Sequence, residues 1–116
     1  MEGALKPLVA TQFLTNSAAT YYTVPQALAN SIAIPEMFVW CNTDSSAHTI
    51  TIHNVPSGGS ASSSNKIFAA ASIPANTTWI GRYPGGAFVM PGGGTLQALA
   101  DANSVVTLTV GGREFQ

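Results

Sequence analysis

The sequence predicts an all-β chain, an antiparallel β-sandwich of jelly-roll type with eight to ten short strands and little or no helix. Three observations carry this. Runs rich in Val, Ile, Thr and aromatic residues recur along the chain, several with apolar–polar alternation of period two. Turn chemistry built on Gly, Pro, Asn and Asp returns at intervals of about 8–12 residues. No window holds a helical period. The best attempt, Pro25 to Ser31, is flanked by Pro25 and Pro35 and allows one turn at most.

The elements follow in order. Leu8–Leu14 reads as a first strand, and Thr20–Val24 as a second, closed by Pro25. Ser31–Ile34 reads as a third that ends at Pro35. Glu36–Asn42 is almost continuously apolar and reads as a central strand buried on both faces. After the polar turn Asn42–Ser46, the segment His48–Val55 alternates strictly. Ile50, Ile52 and Val55 are expected on one face, and Thr49, Thr51 and His53 on the other. The two segments 36–42 and 48–55 read as an antiparallel hairpin.

Pro56–Asn65 has linker composition but no complete core on either side of it. It is expected to be a surface loop, either mobile or ordered against a neighbouring molecule. Lys66–Ile73 suits a strand, although Ala69, Ala70 and Ala71 also suit a helix. Thr77–Arg82, Ala87–Met90, Thr95–Ala100 and Ser104–Val110 are the remaining strands, and Gly111-Gly112 is expected to break the last one. Residues 1–19 read as an N-terminal arm and first strand, and residues 20–116 as the sandwich, within a single domain.

Length and charge bound the function. A chain of 116 residues fits one domain. Its charged fraction of 8% is far below the usual quarter or so, while the hydrophobic fraction of 46% is ordinary. The four basic residues, Lys6, Lys66, Arg82 and Arg113, are scattered, so the phosphate-neutralising footprint of a nucleic-acid binder is missing. Serine and threonine together number 23, so hydroxyls carry much of the polarity. Such a surface can meet another protein with little charge to desolvate. No run of 18 apolar residues occurs, and the start lacks a basic segment followed by a long apolar one. Neither a membrane helix nor a signal peptide is expected, and synthesis in a reducing cytoplasm is.

Chemistry-bearing patterns are sparse. Cys41 is the single cysteine and reads as a buried thiol packed as a small hydrophobe. His48 and His53, five apart on a strand, point to opposite faces and cannot share a metal without a bulge. The Gly-rich segments 57–60 and 92–94 lack the lysine of a phosphate-binding loop and the spacing of a dinucleotide site. No G-x-S-x-G occurs, and the five acidic residues form no pair for hydrolysis. No catalytic, cofactor or metal residue is assigned, and no enzyme is expected. Trp40 reads as core. Trp79 and Tyr83 flank Arg82, which makes either a contact patch, a core tryptophan covered by an arginine, or an aromatic platform for sugar.

Several segments, taken in order, resemble small structural proteins of tailed bacteriophages. They are Tyr22-Thr23-Val24-Pro25, Val39-Trp40-Cys41-Asn42-Thr43, Val55 to Ala61, Ser64-Asn65-Lys66-Ile67-Phe68 and Thr95-Leu96-Gln97-Ala98. The match spans roughly residues 20–110. It departs at Gly94-Thr95, where members often carry an Asp, and in an expanded segment 82–86. The resemblance implies a non-enzymatic virion component with a β-sandwich fold. It would be a capsid decoration (cement) protein, often trimeric, or a part of the tail, collar, fibre or baseplate. The implied partners are the major capsid protein or other virion proteins, with further copies of the chain, and neither nucleic acid nor membrane. The implied location is the virion, after synthesis in the bacterial host cytoplasm. The expected contact residues are Leu5, Leu8, Val9 and Phe13 on the arm, Ser57 and Asn65 on the loop, and Trp79, Arg82 and Tyr83.

Overall fold

The strand pairings are nested. In a computed structural model, which describes residues 5–26, 31–82 and 88–115, nine strands form: β1 (Leu5–Phe13), β2 (Ala19–Thr23), β3 (Ile32–Asn42), β4 (His48–Val55), β5 (Lys66–Ile73), β6 (Thr77–Gly81), β7 (Met90–Pro91), β8 (Thr95–Ala100) and β9 (Val106–Phe115). β4 pairs with β5, β3 with β6, β2 with β8 and β1 with β9, all antiparallel. This is one long double ribbon whose tip is the 56–65 loop. Rolling the ribbon up adds two pairings, β3 with β9 and β4 with β8. Two sheets result, ordered β1-β9-β3-β6 and β2-β8-β4-β5, with short β7 paired to the start of β3. That is the jelly-roll order, in which a double ribbon folds across two facing sheets.

Period-two alternation sets the core. β9 and β8 alternate buried and half-buried residues, so Val106, Leu108 and Val110 face Leu96, Ala98 and Ala100 across the sandwich. Phe38 and Trp40 from β3 both pack edge-to-face with Phe68, at ring-centroid distances of 5.3 and 5.1 Å. Gly81 makes room for the indole: a Cβ there would lie 2.1 Å from Trp40 Cη2.

Several expectations from the sequence are corrected. Segments 36–42 and 48–55 do not form a hairpin, because rolling puts β3 and β4 in opposite sheets. Fully buried Asn42 steers the crossing. Its Nδ2 donates to the carbonyls of Ser46 (2.8 Å), Ile73 (3.1 Å) and Pro74 (3.2 Å), and its Oδ1 accepts from Asp44 N at 3.0 Å. Pro35 does not end a strand. It sits at a register shift between Pro35 and Met37, where a bulge tolerates proline, and β3 runs on through it. β9 likewise continues through Gly111 and Gly112. β3 is buried on one face only: Phe38, Trp40 and Asn42 point inward, while Val39 and Cys41 are half-buried and Met37 is exposed. Val55 is buried but lies outside the main core cluster. Cys41 is half-buried rather than a core thiol.

The expected first strand is present over Leu5–Phe13. As β1 it is an edge strand of the larger sheet, hydrogen-bonded to β9, and Leu8 and Val9 are buried in the main core. Most of the expected turn at 25–31 lies outside the described residues.

Candidate functional site

The outer face of the larger sheet is unusually poor in charge. Paired residues share a face, so the register gives its rows directly. Leu5, Arg113 and Ile34 form one row, and Pro7, Gly111 and Met37 the next. Thr109, Val39 and Ile80 follow, then Phe13, Thr107, Cys41 and Thr78. Leu5, Phe13, Met37 and Ile80 are exposed, Leu5 and Ile80 by more than 60%. Thr11 and Thr109 join hydroxyls at 2.6 Å. Arg113 Nε donates to Glu36 Oε2 at 2.8 Å, which neutralises that pair within the face. A shallow depression of about 280 Å3 opens here, lined by Leu5, Glu36, Met37, Val39, Arg82, Thr109 and Gly111.

Some of the residues expected at an interface meet on or beside this face. Leu5 and Phe13 lie on it, and exposed Arg82 stands at the rim of the depression. Leu8 and Val9 do not belong: β1 turns both toward the core, where they are 8% and 1% exposed, so they cannot contact a partner without unfolding the edge. Trp79 pairs with inward-facing Trp40, yet it lies on edge strand β6 and stays 45% exposed. Tyr83 lies outside the described residues.

Ser57 and Asn65 are elsewhere, on the ribbon tip. Ser57 is exposed, whereas Asn65 is engaged within its own chain. Its Oδ1 accepts from Ser62 N (3.0 Å) and from His53 Nδ1 (2.8 Å), and its Nδ2 donates to Ser60 O (2.9 Å). His53 Nδ1 also faces Ser62 O at 3.1 Å, so both its partners are acceptors and the ring proton sits on Nδ1. The tip is thus ordered by a buried histidine of β4 and a short 3-10 turn, Ser63–Asn65.

Sequence reasoning missed Met37, Val39, Thr109 and Gly111. Alternation of Thr107 and Thr109 against Leu108 and Val110 was an available signal for β9. The run around Val39 hid its outer face, because apolar residues on both sides of a strand look alike in sequence whether one side meets water or not.

Two ionic clusters lie off this face. His48, at the start of β4, is held between Asp44 and Asp101. Its Nε2 lies 2.7 Å from Asp44 Oδ2 and its Nδ1 2.7 Å from Asp101 Oδ1. Both nitrogens donate only in the imidazolium form, so the hydrogen bonds to Asp44 and Asp101 hold the His48 pKa above its ordinary value. Hydrogen bonds from His48 and from the backbone at Ser45 hold the Asp44 carboxyl below its ordinary value. At the far end, Tyr22 Oη donates to Glu114, and Lys6 Nζ donates to Glu114 Oε1 at 2.9 Å. Burial, with Glu114 beside it, pushes the Tyr22 hydroxyl far up. For Glu114, burial acts upward, but the hydrogen bonds from Tyr22 and Lys6 outweigh it and leave the carboxyl low. Both clusters tie strands together, one at the connection between the sheets and one across their rims. Among the described residues, no group of three His, Cys, Asp or Glu side chains is placed to hold a metal ion.

No family model and no curated protein matches this chain. Among solved structures, a chain in the structure of infectious bursal disease virus, Gx strain, is similar to it with a TM-score of 0.51 and 11% identity. The likeness covers 97% of this chain and 30% of that one, so the present chain spans under a third of its neighbour. At this identity the shared property is the fold.

Proposed function

We propose that this chain is a non-enzymatic structural protein of a virus particle, a capsid decoration (cement) protein of a tailed bacteriophage that works as a symmetric oligomer, a trimer for preference. The observation that carries the reading is the charge-poor, largely apolar and hydroxyl-bearing outer face on a jelly roll, a fold widely used in viral capsid and lectin domains. The likeness to a virus chain and the phage-like segments support it. Three strands of 9, 10 and 11 residues and one of 5, about 4.8 Å apart, make a face of roughly 550 Å2, below the ~800 Å2 that one partner contributes to a stable interface. Burial at about 25 cal/mol per Å2 is largely offset by the freedom lost on association, and repetition by symmetry supplies the avidity.

Quantitative mass spectrometry of purified particles tests this. A cement protein is present in hundreds of copies per particle. A few copies would assign the chain to the tail or baseplate, and absence from particles would end the virion reading. Half-exposed Trp79 favours a second reading, a sugar-binding module on a host-recognition fibre. That reading requires glycan-array binding that disappears in Trp79→Ala.

A further inference from the structure

We propose that the depression on the outer face of the larger sheet docks an extended segment of another protein, one that presents an apolar side chain with a carboxylate within two residues of it. The proposal rests on the interface reading above and names the partner's chemistry. The lining is largely apolar: half-buried Val39 with exposed Leu5 and Met37, while Gly111 leaves open space, since a Cβ there would meet nothing within 4 Å. About 280 Å3 is at the lower edge of the range for small-molecule pockets, roughly 300–1,000 Å3, and suits a side chain better than a cofactor.

Charge selects the occupant. Two cationic side chains stand at the face, and Arg113 is spent on Glu36. Arg82 is exposed at the rim and makes no hydrogen bond or ion pair among the described residues. An arginine above an apolar recess recognises a carboxylate through paired N–H donors. A second copy of this chain is a poor source of that carboxylate. All four acidic residues among those described are engaged: Glu36 with Arg113, Asp44 and Asp101 with His48, and Glu114 with Lys6. Strand addition to the neighbouring edge is disfavoured too, because β1 carries Lys6, Pro7 and two register shifts, features that blunt an edge. The face therefore receives side chains from a different protein.

The test is selection of displayed random short peptides on the immobilised full chain. Selected peptides should pair an apolar residue with Asp or Glu within two positions. A synthetic peptide of that consensus should bind about tenfold more tightly than its Asn or Gln counterpart, the effect of one charge-assisted hydrogen bond. In Arg82→Gln that ratio should fall to near one. In Gly111→Val, where the new side chain grows into the recess from a strand position that tolerates it, both peptides should lose binding. Absence of enrichment, enrichment without an acid, or an acid preference that survives Arg82→Gln overturns the proposal. Particle copy number is independent of these results, so a protein abundant on virions that selects no acidic peptide keeps the virion role and loses this site.

Discussion

Replacing Gly81 by alanine probes the joint between the core and the proposed face, because β6 carries both Gly81 and exposed Ile80 and leads into Arg82. The new Cβ would lie 2.1 Å from Trp40 Cη2, 2.5 Å from Cζ3 and 3.1 Å from Cζ2, against a contact optimum of about 3.5–4.0 Å. The ring must therefore move by more than an ångström. It has little room, since Trp40 is 3% exposed and its ring packs edge-to-face with Phe68. Overpacking of this kind costs about 1–3 kcal/mol, and the depth of the overlap places Gly81→Ala near the top of that range. With a urea slope of about 1–3 kcal/mol/M, the midpoint should drop by about 1 M or more. Trp40→Phe supplies the control. It removes the clashing half of the indole and also a buried Nε1–H that finds no hydrogen-bond partner among the described residues. In that background Gly81→Ala should cost less than about 1 kcal/mol, giving a coupling of at least ~1.5 kcal/mol in the double-mutant cycle. Additivity within about 0.5 kcal/mol would refute the steric account, as would a wild-type midpoint for Gly81→Ala alone.

Two further outcomes are expected. The His48 clasp makes stability depend on pH with a definite sign. Because the folded His48 pKa is raised, its contribution is complete below the ordinary value of 6.5 and is lost as pH rises through the folded pKa. Because the folded Asp44 pKa is lowered, its contribution is complete above 3.8 and is lost as pH falls through the folded pKa. The clasp is thus strongest between those values. An NMR titration should place the His48 midpoint above 6.5 and move it down in Asp44→Asn, whereas a midpoint at or below 6.5 in the wild type removes the clasp. Deleting residues 1–13 should unfold the chain instead of freeing a domain, since Leu8 and Val9 together contribute about 3–6 kcal/mol of burial against a typical total of about 5–15. Circular dichroism showing a cooperative transition at the wild-type temperature would count against that integration of β1.

What the sequence determined by itself is local. Alternation in Thr95–Ala100 and His48–Val55 marks strands because the side-chain period of two is a property of the extended backbone, and both strands occur at those residues. The scarcity of charge and the Gly and Pro punctuation likewise mark a short-stranded sandwich from the residues alone. Partnership was decided at long range. β3 lies between β6 and β9, its neighbours in space, and not beside β4, its neighbour in sequence, because the ribbon rolls about the 56–65 tip. The same rolling drew Leu8 and Val9 into the core and left Leu5 and Phe13 outside it. It also assembled the face itself, bringing Leu5, Met37, Arg82 and Gly111 from four strands or strand ends to one depression. Which side of a two-sided apolar strand meets water depends on where the second sheet packs, and that is fixed by pairings as distant in sequence as Leu5 with Arg113.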